Sequence, residues 1–257
     1  MAEPLVLFSR PDPRIALLTI NRPDKLNALS NAVMAELNDA FEGVEGDPSL
    51  GGVIITGAGA KAFVAGADIA ELTGATPLEG RERCLRDQRI MRRLETMKKP
   101  SIAAMNGYAL GGGLELALSC SIRVAADSAK MGFPEAKIGV FPANGGTQRL
   151  PAIIGRGRAL EMMLTGEPID AREAWRIGLV NHVVPRDALL DFCTVLMRKM
   201  LDNGPLSLAA ILQCVAVEPD AGFDLEAAMY AAISSSRDRA EGTKAFLEKR
   251  KPVFEGR

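Results

Sequence analysis

The stretch NGYALGGGLELAL, residues 106–118, is the part of the chain around which the remaining segments are interpreted. Its three consecutive glycines, residues 111–113, stand between a short apolar run and a helix-like run. Glycines at a helix start let the backbone approach a ligand closely and leave amide groups unpaired, with the helix dipole behind them. Such a helix start suits an anion or an oxyanion. Glu115 follows in the first helical turn, as either a solvated charge or a reactive group in a dry pocket.

Composition excludes several classes of function. The 257 residues are 47% hydrophobic and 25% charged, with a formal net charge of −1, which is typical of a globular protein with a large core. Because the charge is near neutral and the signs are mixed, we expect no nucleic-acid partner and no membrane-surface partner. No apolar run reaches the ~18 residues of a membrane span, and no secretory signal is evident at the start of the sequence.

The cysteines and the histidine point away from metal and disulfide chemistry. Four cysteines lie scattered without CxxC spacing, which indicates reduced, mainly buried thiols in a cytoplasmic protein. The one histidine, His182, lies in an apolar run and is interpreted as structural, which weakens any Ser-His or His-metal proposal. We therefore expect no metal site.

Strands and helices alternate over the first part of the chain. Residues 15–20 and 52–56 are predicted strands, and Ser30 is predicted to cap a helix that runs to about Val44. Residues 85–97 form a predicted charged helix, and residues 134–151 are interpreted as a short helix followed by a tight loop. The apolar side of the charged helix is predicted to consist of Leu85, Ile90, Met91, Leu94 and Met97.

Residues 57–62, GAGAKA, fit the GxGxxA pattern of a dinucleotide-binding turn. A helix should open at once after such a turn, whereas residues 63–67 continue as small and apolar residues up to Asp68, a helix-cap residue. A loop of small residues that ends at a helix start is better explained as a second site of backbone donors. A nucleotide-binding oxidoreductase therefore stays a remote alternative.

The pattern changes near residue 187. Beyond it the predicted strands disappear and four predicted helices follow, over about residues 188–201, 205–217, 225–235 and 241–250. We therefore divide the chain into a ββα body, residues 1–186, which carries the site, and a helical region, residues 187–257. No linker separates the two strongly, so they are expected to form one domain with a helical appendage.

A second carboxylate follows the first by twenty residues. Glu135 begins a short predicted helix after Pro134, in an apolar, proline-flanked loop. Two carboxylates in one pocket push their pKa values apart, so that one acts as a base and the other as an acid. With backbone donors beside them, they would suit proton transfer next to a carbonyl that becomes enolate-like. The alternative is two ordinary helix-start glutamates, and spacing alone does not exclude it.

Seven segments in order carry a resemblance to the enoyl-CoA hydratase (crotonase) family over essentially the whole chain. The resemblance implies an α/β fold, a crotonase-like spiral of ββα units with a C-terminal helical region that forms trimers, often paired into hexamers. The segments are NRPDKLNALS (21–30), AFVAGADI (62–69), NGYALGGGLELAL (106–118), GFPEAKIG (132–139), GGTQRLP (145–151), LTGEPIDAREAWRIGLVNHVV (164–184) and KAFLEKRKPVF (244–254).

The resemblance also assigns roles at the reacting centre. Ala67 and Gly112 match the two backbone donors that hold the thioester oxygen. Glu115 and Glu135 match the two catalytic glutamates, of which Glu115 activates the water and Glu135 supplies the α-carbon proton. Because the two groups are coupled, the assignment of each proton belongs to the pair.

The resemblance further implies residues that bind the CoA and acyl parts of the substrate. Among them, Phe246 and Lys249 match residues that reach the CoA of a neighbouring subunit. Ala143 replaces a glycine that hydratases commonly carry. Since alanine restricts φ, the geometry of the water is in question there. These residues are Lys25, Asn27, Ala28, Ala65, Asp68, Ile69, Gly111, Pro134, Ala143, Asn144, Phe246 and Lys249.

The implied reaction is the reversible addition of water across the double bond of a trans-2-enoyl-CoA, giving a 3-hydroxyacyl-CoA. The implied partner is an acyl-CoA thioester, and CoA is part of the substrate, so no metal or redox cofactor is expected. An enoyl-CoA isomerase or another acyl-CoA lyase of the family is the alternative, and a silent acyl-CoA binder is a third. The pattern leaves the acyl chain length open, and also the pathway, whether β-oxidation or aromatic-acid or amino-acid breakdown.

Overall fold

Two β-sheets run through the protein, one of six strands and one of four, in a computed structural model that describes residues 3–71, 76–217 and 219–257. The strands are β1 (Val6–Asp12), β2 (Ile15–Ile20), β3 (Gly52–Gly57), β4 (Ala62–Val64), β5 (Ser101–Met105), β6 (Tyr108–Leu110), β7 (Ile122–Ala126), β8 (Lys130–Gly132), β9 (Ile169–Asp170) and β10 (His182–Val184). The α-helices are α1 (Asn31–Gly46), α2 (Pro77–Thr96), α3 (Gly112–Leu118), α4 (Gly146–Ile154), α5 (Arg156–Thr165), α6 (Ala171–Arg176), α7 (Leu189–Leu201), α8 (Pro205–Val215), α9 (Pro219–Ser234) and α10 (Arg237–Leu247).

From β3 to β8, successive strands alternate between the two sheets. The larger sheet has the order β1-β2-β3-β5-β7-β10, and the smaller has the order β4-β6-β8-β9. From β2 to β10 the neighbours in the larger sheet are parallel, as are β4, β6 and β8 in the smaller. Each turn of chain therefore adds one strand to each sheet, and the turns stack as a spiral. The predicted α/β spiral of ββα units with a helical C-terminal region is confirmed.

Helix α1 forms as its sequence predicts. The Ser30 side chain accepts the amide hydrogen of Val33 at 3.2 Å, which satisfies one of the unpaired donors of the helix start. The buried residues of α1 recur with helical spacing and pack into the core beside the larger sheet: Val33, Met34, Leu37, Phe41 and Val44.

Helix α3 lies unusually close to strand β4. A Cβ atom on Gly113 would stand 2.1 Å from the carbonyl oxygen of Val64, so a larger residue would separate the helix from the strand. Gly111, just before the helix, has φ +51°, a conformation that favours glycine. The glycine run thus sets the depth of the helix and the turn that leads into it.

Several short elements differ from the sequence prediction. Strands β1, β4 and β6 were not predicted as strands, and α4 occupies residues that were interpreted as part of a loop. Strand β9 and helix α6 follow each other directly along the chain. Strands β4 and β6 have three residues each, which is too short to show a period of two, and their pairing partners lie in distant parts of the chain.

Helix α2 begins earlier than predicted. Thr76 and Glu79 form a reciprocal capping box at its start, and Pro77 occupies the first turn. Leu85 is 37% exposed, so its placement on the inward face is wrong, whereas Ile90, Met91, Leu94 and Met97 are buried as expected. Near Leu85, the buried residue of the helix is the polar Asp87.

The C-terminal helices differ in how they pack. Helix α7 lies against the larger sheet, with Leu189, Cys193 and Met197 buried. Helix α8 is rich in apolar residues, yet none of its residues is fully buried in the single chain. Among the described residues, no helix combines the length and hydropathy that a membrane span requires.

The close contact at Gly113 predicts a large loss of stability on adding a methyl group. Gly113→Ala should lower the free energy of unfolding by about 3 kcal/mol or more, because the clash is with a backbone atom that cannot move aside. Urea denaturation measures the change. The matched control is Gly43→Ala in α1, where a Cβ meets nothing within 4 Å and should stabilise the protein by about 0.5–1 kcal/mol. Equal stability of the two variants would contradict this account of the glycine run.

Candidate active site

A cavity of about 1460 Å³ opens between α2, the loop after β4, the start of α3 and the segment from residue 134 to 144. Ten of the residues singled out in the sequence line it. They are Ala65, Ala67, Ile69, Gly111, Gly112, Glu115, Pro134, Glu135, Ala143 and Asn144. The fold therefore brings both candidate donors and both candidate carboxylates to one cavity.

The backbone amides of Ala67 and Gly112 lie close together at the wall of the cavity. The bridge between Leu29 and Ala67 uses the amide of Leu29 and the amide of Asp68, which leaves the Ala67 amide outside the ladder. Gly112 is the first residue of α3, where amide groups have no partner within the helix. A Cβ built on Gly112 would lie 3.6 Å from the Ala67 nitrogen and 3.9 Å from Oε2 of Glu115. The Ala67 amide and the Glu115 carboxylate therefore both lie close to the same point beside Gly112.

Glu115 is buried, with 2% of its surface exposed. Its Oε1 accepts the amide hydrogens of Asn144 and Gly146, both at 2.8 Å. Burial raises the pKa of Glu115, because the charged form loses its water, and the two amides and the nearby Arg149 oppose that rise. One carboxylate oxygen is therefore fixed by the loop, and the other borders the space beside Gly112.

Glu135 lies in the 3-10 helix Pro134–Ile138 and turns its carboxyl group toward Gly111. A Cβ on Gly111 would come within 2.7 Å of Oε1 of Glu135. Oε2 is buried and has no hydrogen-bond partner among the described residues. Burial, helped by the neighbouring charge of Glu115, raises the pKa of Glu135 to about 7. This carboxyl group can therefore hold or release a proton near neutral pH.

Ala143 is accommodated without backbone strain. Among the described residues with positive φ, neither Ala143 nor Asn144 occurs, whereas Gly145 has φ +110°. The left-handed turn thus falls on the glycine that follows. The amide of Asn144 is directed at Glu115 although alanine occupies position 143.

Six of the sequence candidates do not line the cavity: Lys25, Asn27, Ala28, Asp68, Phe246 and Lys249. The Asn27 side chain is fully buried and binds the Arg22 amide and two carbonyl oxygens, so it fixes the turn over residues 22–27. Asp68 forms an ion pair with Arg22 at 3.0 Å. Phe246 is 82% exposed on the C-terminal helix. From the sequence alone, these six residues could not be distinguished from those that line the cavity.

Three side chains that the sequence did not predict hold the loop after the 3-10 helix. Cys84 and Gln88, both on α2, donate to the carbonyl oxygen of Ala143 at 2.9 and 2.7 Å. Arg149 donates to the carbonyl oxygen of Asn144 at 2.9 Å. The spacing of four between Cys84 and Gln88 places them on one helix face, which is a sequence signal for joint action but not for this target.

The described residues contain no cluster of three or more His, Cys, Asp or Glu side chains arranged to hold a metal ion. The four cysteines are free, two of them buried and two partly buried.

Comparison with known proteins identifies the family. Residues 12–257 match the family model described as enoyl-CoA hydratase/isomerase. The chain is 43% identical over 247 residues to the crotonyl-CoA hydratase of Syntrophomonas wolfei, covering 95% of each chain, and 41% identical over 242 residues to the short-chain-enoyl-CoA hydratase of Clostridium acetobutylicum, covering 93% of each. The crystal structure of an enoyl-CoA hydratase from Bacillus anthracis superposes with a TM-score of 0.93 at 37% identity, covering 98% of this chain and all of that one. The chain belongs to the enoyl-CoA hydratase/isomerase family.

The raised pKa of Glu135 predicts a pH dependence of stability. Above its ordinary value of 4.5 the unfolded chain has lost this proton, while the native protein keeps it up to about 7. Stability from this group is therefore present at low pH and is lost as the pH rises through that window. Glu135→Gln does not titrate, so its stability relative to the parent should grow between about pH 4.5 and 7 and then level off.

Urea denaturation at stepped pH measures that difference. Glu161→Gln, a surface substitution on α5, is the matched control and should follow the parent curve. A constant difference between Glu135→Gln and the parent across the window would show that Glu135 titrates normally.

Proposed function

We propose that this protein is an enoyl-CoA hydratase, adding water reversibly across the double bond of a trans-2-enoyl-CoA to give a 3-hydroxyacyl-CoA. The observation that carries the proposal is the convergence on one cavity of two amides that have no hydrogen-bond partner among the described residues, the buried carboxyl group of Glu115 and the half-buried carboxyl group of Glu135. Membership of the family and the names of the two similar bacterial proteins support the same reaction.

In this proposal the amides of Ala67 and Gly112 hold the thioester oxygen. Attack at the β-carbon moves electron density onto that oxygen, and two preorganised donors stabilise the resulting enolate. The positive end of the α3 dipole lies behind Gly112 and adds to this stabilisation. Because the donors are backbone groups, this role requires no particular side chain at either position.

The two glutamates divide the proton transfers. Glu115, fixed through Oε1, takes a proton from the water whose oxygen bonds to the β-carbon. Glu135, whose pKa of about 7 leaves it protonated in part of the population, supplies the proton that bonds to the α-carbon. The pair therefore ends with the same number of protons as it began. An isomerase needs one acid–base group to move a proton, so the use of both glutamates separates the two reactions.

CoA enters as part of the substrate, and the proposal requires no metal or redox cofactor. The long CoA moiety would extend from the cavity toward the segment from Lys25 to Ala28. Phe246 and Lys249 would complete its site from a neighbouring subunit, which fits their position outside the cavity of their own chain. We also propose a cytoplasmic location, in line with four free cysteines.

We further propose that the protein assembles as a trimer or as a hexamer of two trimers. Helices α8 to α10 carry exposed apolar side chains beyond what an isolated surface normally shows. They include Ile211 (60% exposed), Val215 (80%), Phe223 (70%), Tyr230 (68%), Phe246 (82%) and Leu247 (80%).

The reaction is tested by the loss of the ultraviolet absorbance of the conjugated double bond in crotonyl-CoA. Glu115→Gln and Glu135→Gln should each lower kcat by roughly 10²-fold or more, the scale of lost general acid–base catalysis. Binding of the CoA product should change little, because neither carboxylate is needed to hold it. Parent-like hydration by either variant would remove that glutamate from the mechanism.

Asn144→Ala is the matched control for the loop. Asn144 contributes its backbone amide to Glu115 and its carbonyl oxygen to Arg149, and alanine keeps both. The effect on kcat should therefore stay within about ten-fold.

If crotonyl-CoA is untouched by the parent but a 3-enoyl-CoA is converted to the 2-enoyl isomer, the protein is an isomerase.

Assembly is tested by sedimentation of the variant Val215→Glu. A charge on this exposed apolar position of α8 should dissociate the assembly into monomers, because burying an unpaired carboxylate in an interface is costly. Phe8→Glu on β1 is the matched control, since Phe8 is 53% exposed and lies outside the C-terminal helices. It should keep the mass of the parent. A parent protein that sediments as a monomer at working concentration would overturn the assembly proposal.

A further inference from the structure

One peptide group connects helix α2 to Glu115. Its amide, on Asn144, donates to Oε1 of Glu115 at 2.8 Å. Its carbonyl oxygen, on Ala143, accepts hydrogen bonds from Gln88 Nε2 at 2.7 Å and from Cys84 Sγ at 2.9 Å. Because a trans peptide group is planar, its N–H and C=O point in opposite directions, and fixing the oxygen fixes the direction of the amide.

Gln88 is the stronger of the two donors to that oxygen. Its Nε2 also lies 3.2 Å from the sulfur of Cys84, so the two side chains support each other on one face of α2. A thiol is a weak donor, whereas a carboxamide is a full one. Hydrogen bonds to the carbonyl oxygen polarise the peptide group and strengthen its N–H as a donor.

We infer that Gln88 is a positioning residue for the hydration reaction, acting on Glu115 through the peptide group between Ala143 and Asn144. This inference rests on the proposed function. Gln88 does not line the cavity, so it acts without touching the substrate. Neighbouring residues of α2, among them Cys84 and Arg86, do line it. The same helix therefore bounds the substrate cavity and sets the orientation of the base.

The charged groups around Glu115 come from three elements, and none of them is removed by changing Gln88. Asp87 and the thiol of Cys84 face it from α2, Arg149 faces it from α4, and Glu135 faces it from the 3-10 helix. A neutral replacement of Gln88 thus leaves these charges in place. Any change in the titration of Glu115 then reports on the peptide amide.

The test compares Gln88→Met with Gln148→Met. Both replace a glutamine by a neutral side chain of similar length, but Gln148 is exposed and its amide donates to Thr147, not to the loop. Gln88→Met should lower kcat for crotonyl-CoA by roughly ten-fold, the scale of one lost hydrogen bond, with KM within about two-fold. The acidic limb of the kcat profile should move to higher pH, because a weaker amide contact favours protonated Glu115. Gln148→Met should match the parent.

Infrared difference titration supplies a readout that does not depend on catalysis. The Glu115 carboxyl band, identified by its loss in Glu115→Gln, should titrate at higher pH in Gln88→Met than in the parent. An unchanged Glu115 midpoint together with an unchanged kcat profile would overturn the inference. A parent enzyme that hydrates no trans-2-enoyl-CoA, whether its acyl chain is short or long, would instead overturn the proposed function, while the infrared midpoint still decides the role of Gln88.

A second variant keeps the inference testable if Gln88→Met does not fold. Cys84→Ala removes the weaker donor to the same carbonyl oxygen. It should shift the Glu115 midpoint and the kcat profile in the same direction as Gln88→Met, by less. If neither quantity moves in Cys84→Ala, the link between α2 and Glu115 is refuted.

Discussion

The carboxylate of Glu115 is buried and is bound by two backbone amides, and the surrounding structure is arranged to make that contact possible. Burying an ionised carboxylate costs several kcal/mol unless donors replace its water. The amides of Asn144 and Gly146 supply two such donors at 2.8 Å. The contact requires α3 to lie deep in the molecule, which Gly113 allows, and a loop whose amides converge on one oxygen. Helix and loop therefore depend on each other.

Helix α2 braces that loop at two levels. Gln88 holds the carbonyl oxygen of Ala143, and seven residues later Glu95 binds Arg149 at 3.1 Å. Arg149 in turn binds the carbonyl oxygen of Asn144, so the loop is tied to the same helix from both sides. The Arg149 side chain is 12% exposed, where an ion pair is screened less than on the surface. Substitutions of Gln88 or Glu95 can thus change the position of this loop, although neither residue lines the cavity.

The sequence predicted the features that arise from local patterns. The Ser30 cap, the helix start at the glycine run and the short helix at Glu135 all follow from neighbouring residues, and the family resemblance extended them to a spiral. Strand β4 escaped prediction because three residues show no period, and α4 because Gly145 and its neighbours suggested a loop. The contact of Gln88 with the loop could not be predicted, because its hydrogen bond joins it to Ala143, 55 residues away in the sequence, and depends on how the chain packs.

The two carboxyl groups differ because the elements that carry them differ. Glu115 belongs to a buried helix and meets loop amides, whereas Glu135 belongs to a short 3-10 helix at the cavity wall. Among the described residues, Oε2 of Glu135 has no partner to favour its charged form. The charge of Glu115 adds to the rise in the pKa of Glu135, and two coupled groups titrate as a pair. In the proposed mechanism this pair supplies both the base that accepts a proton from water and the acid that donates a proton to carbon, and the two amides on Oε1 favour the charged form at Glu115.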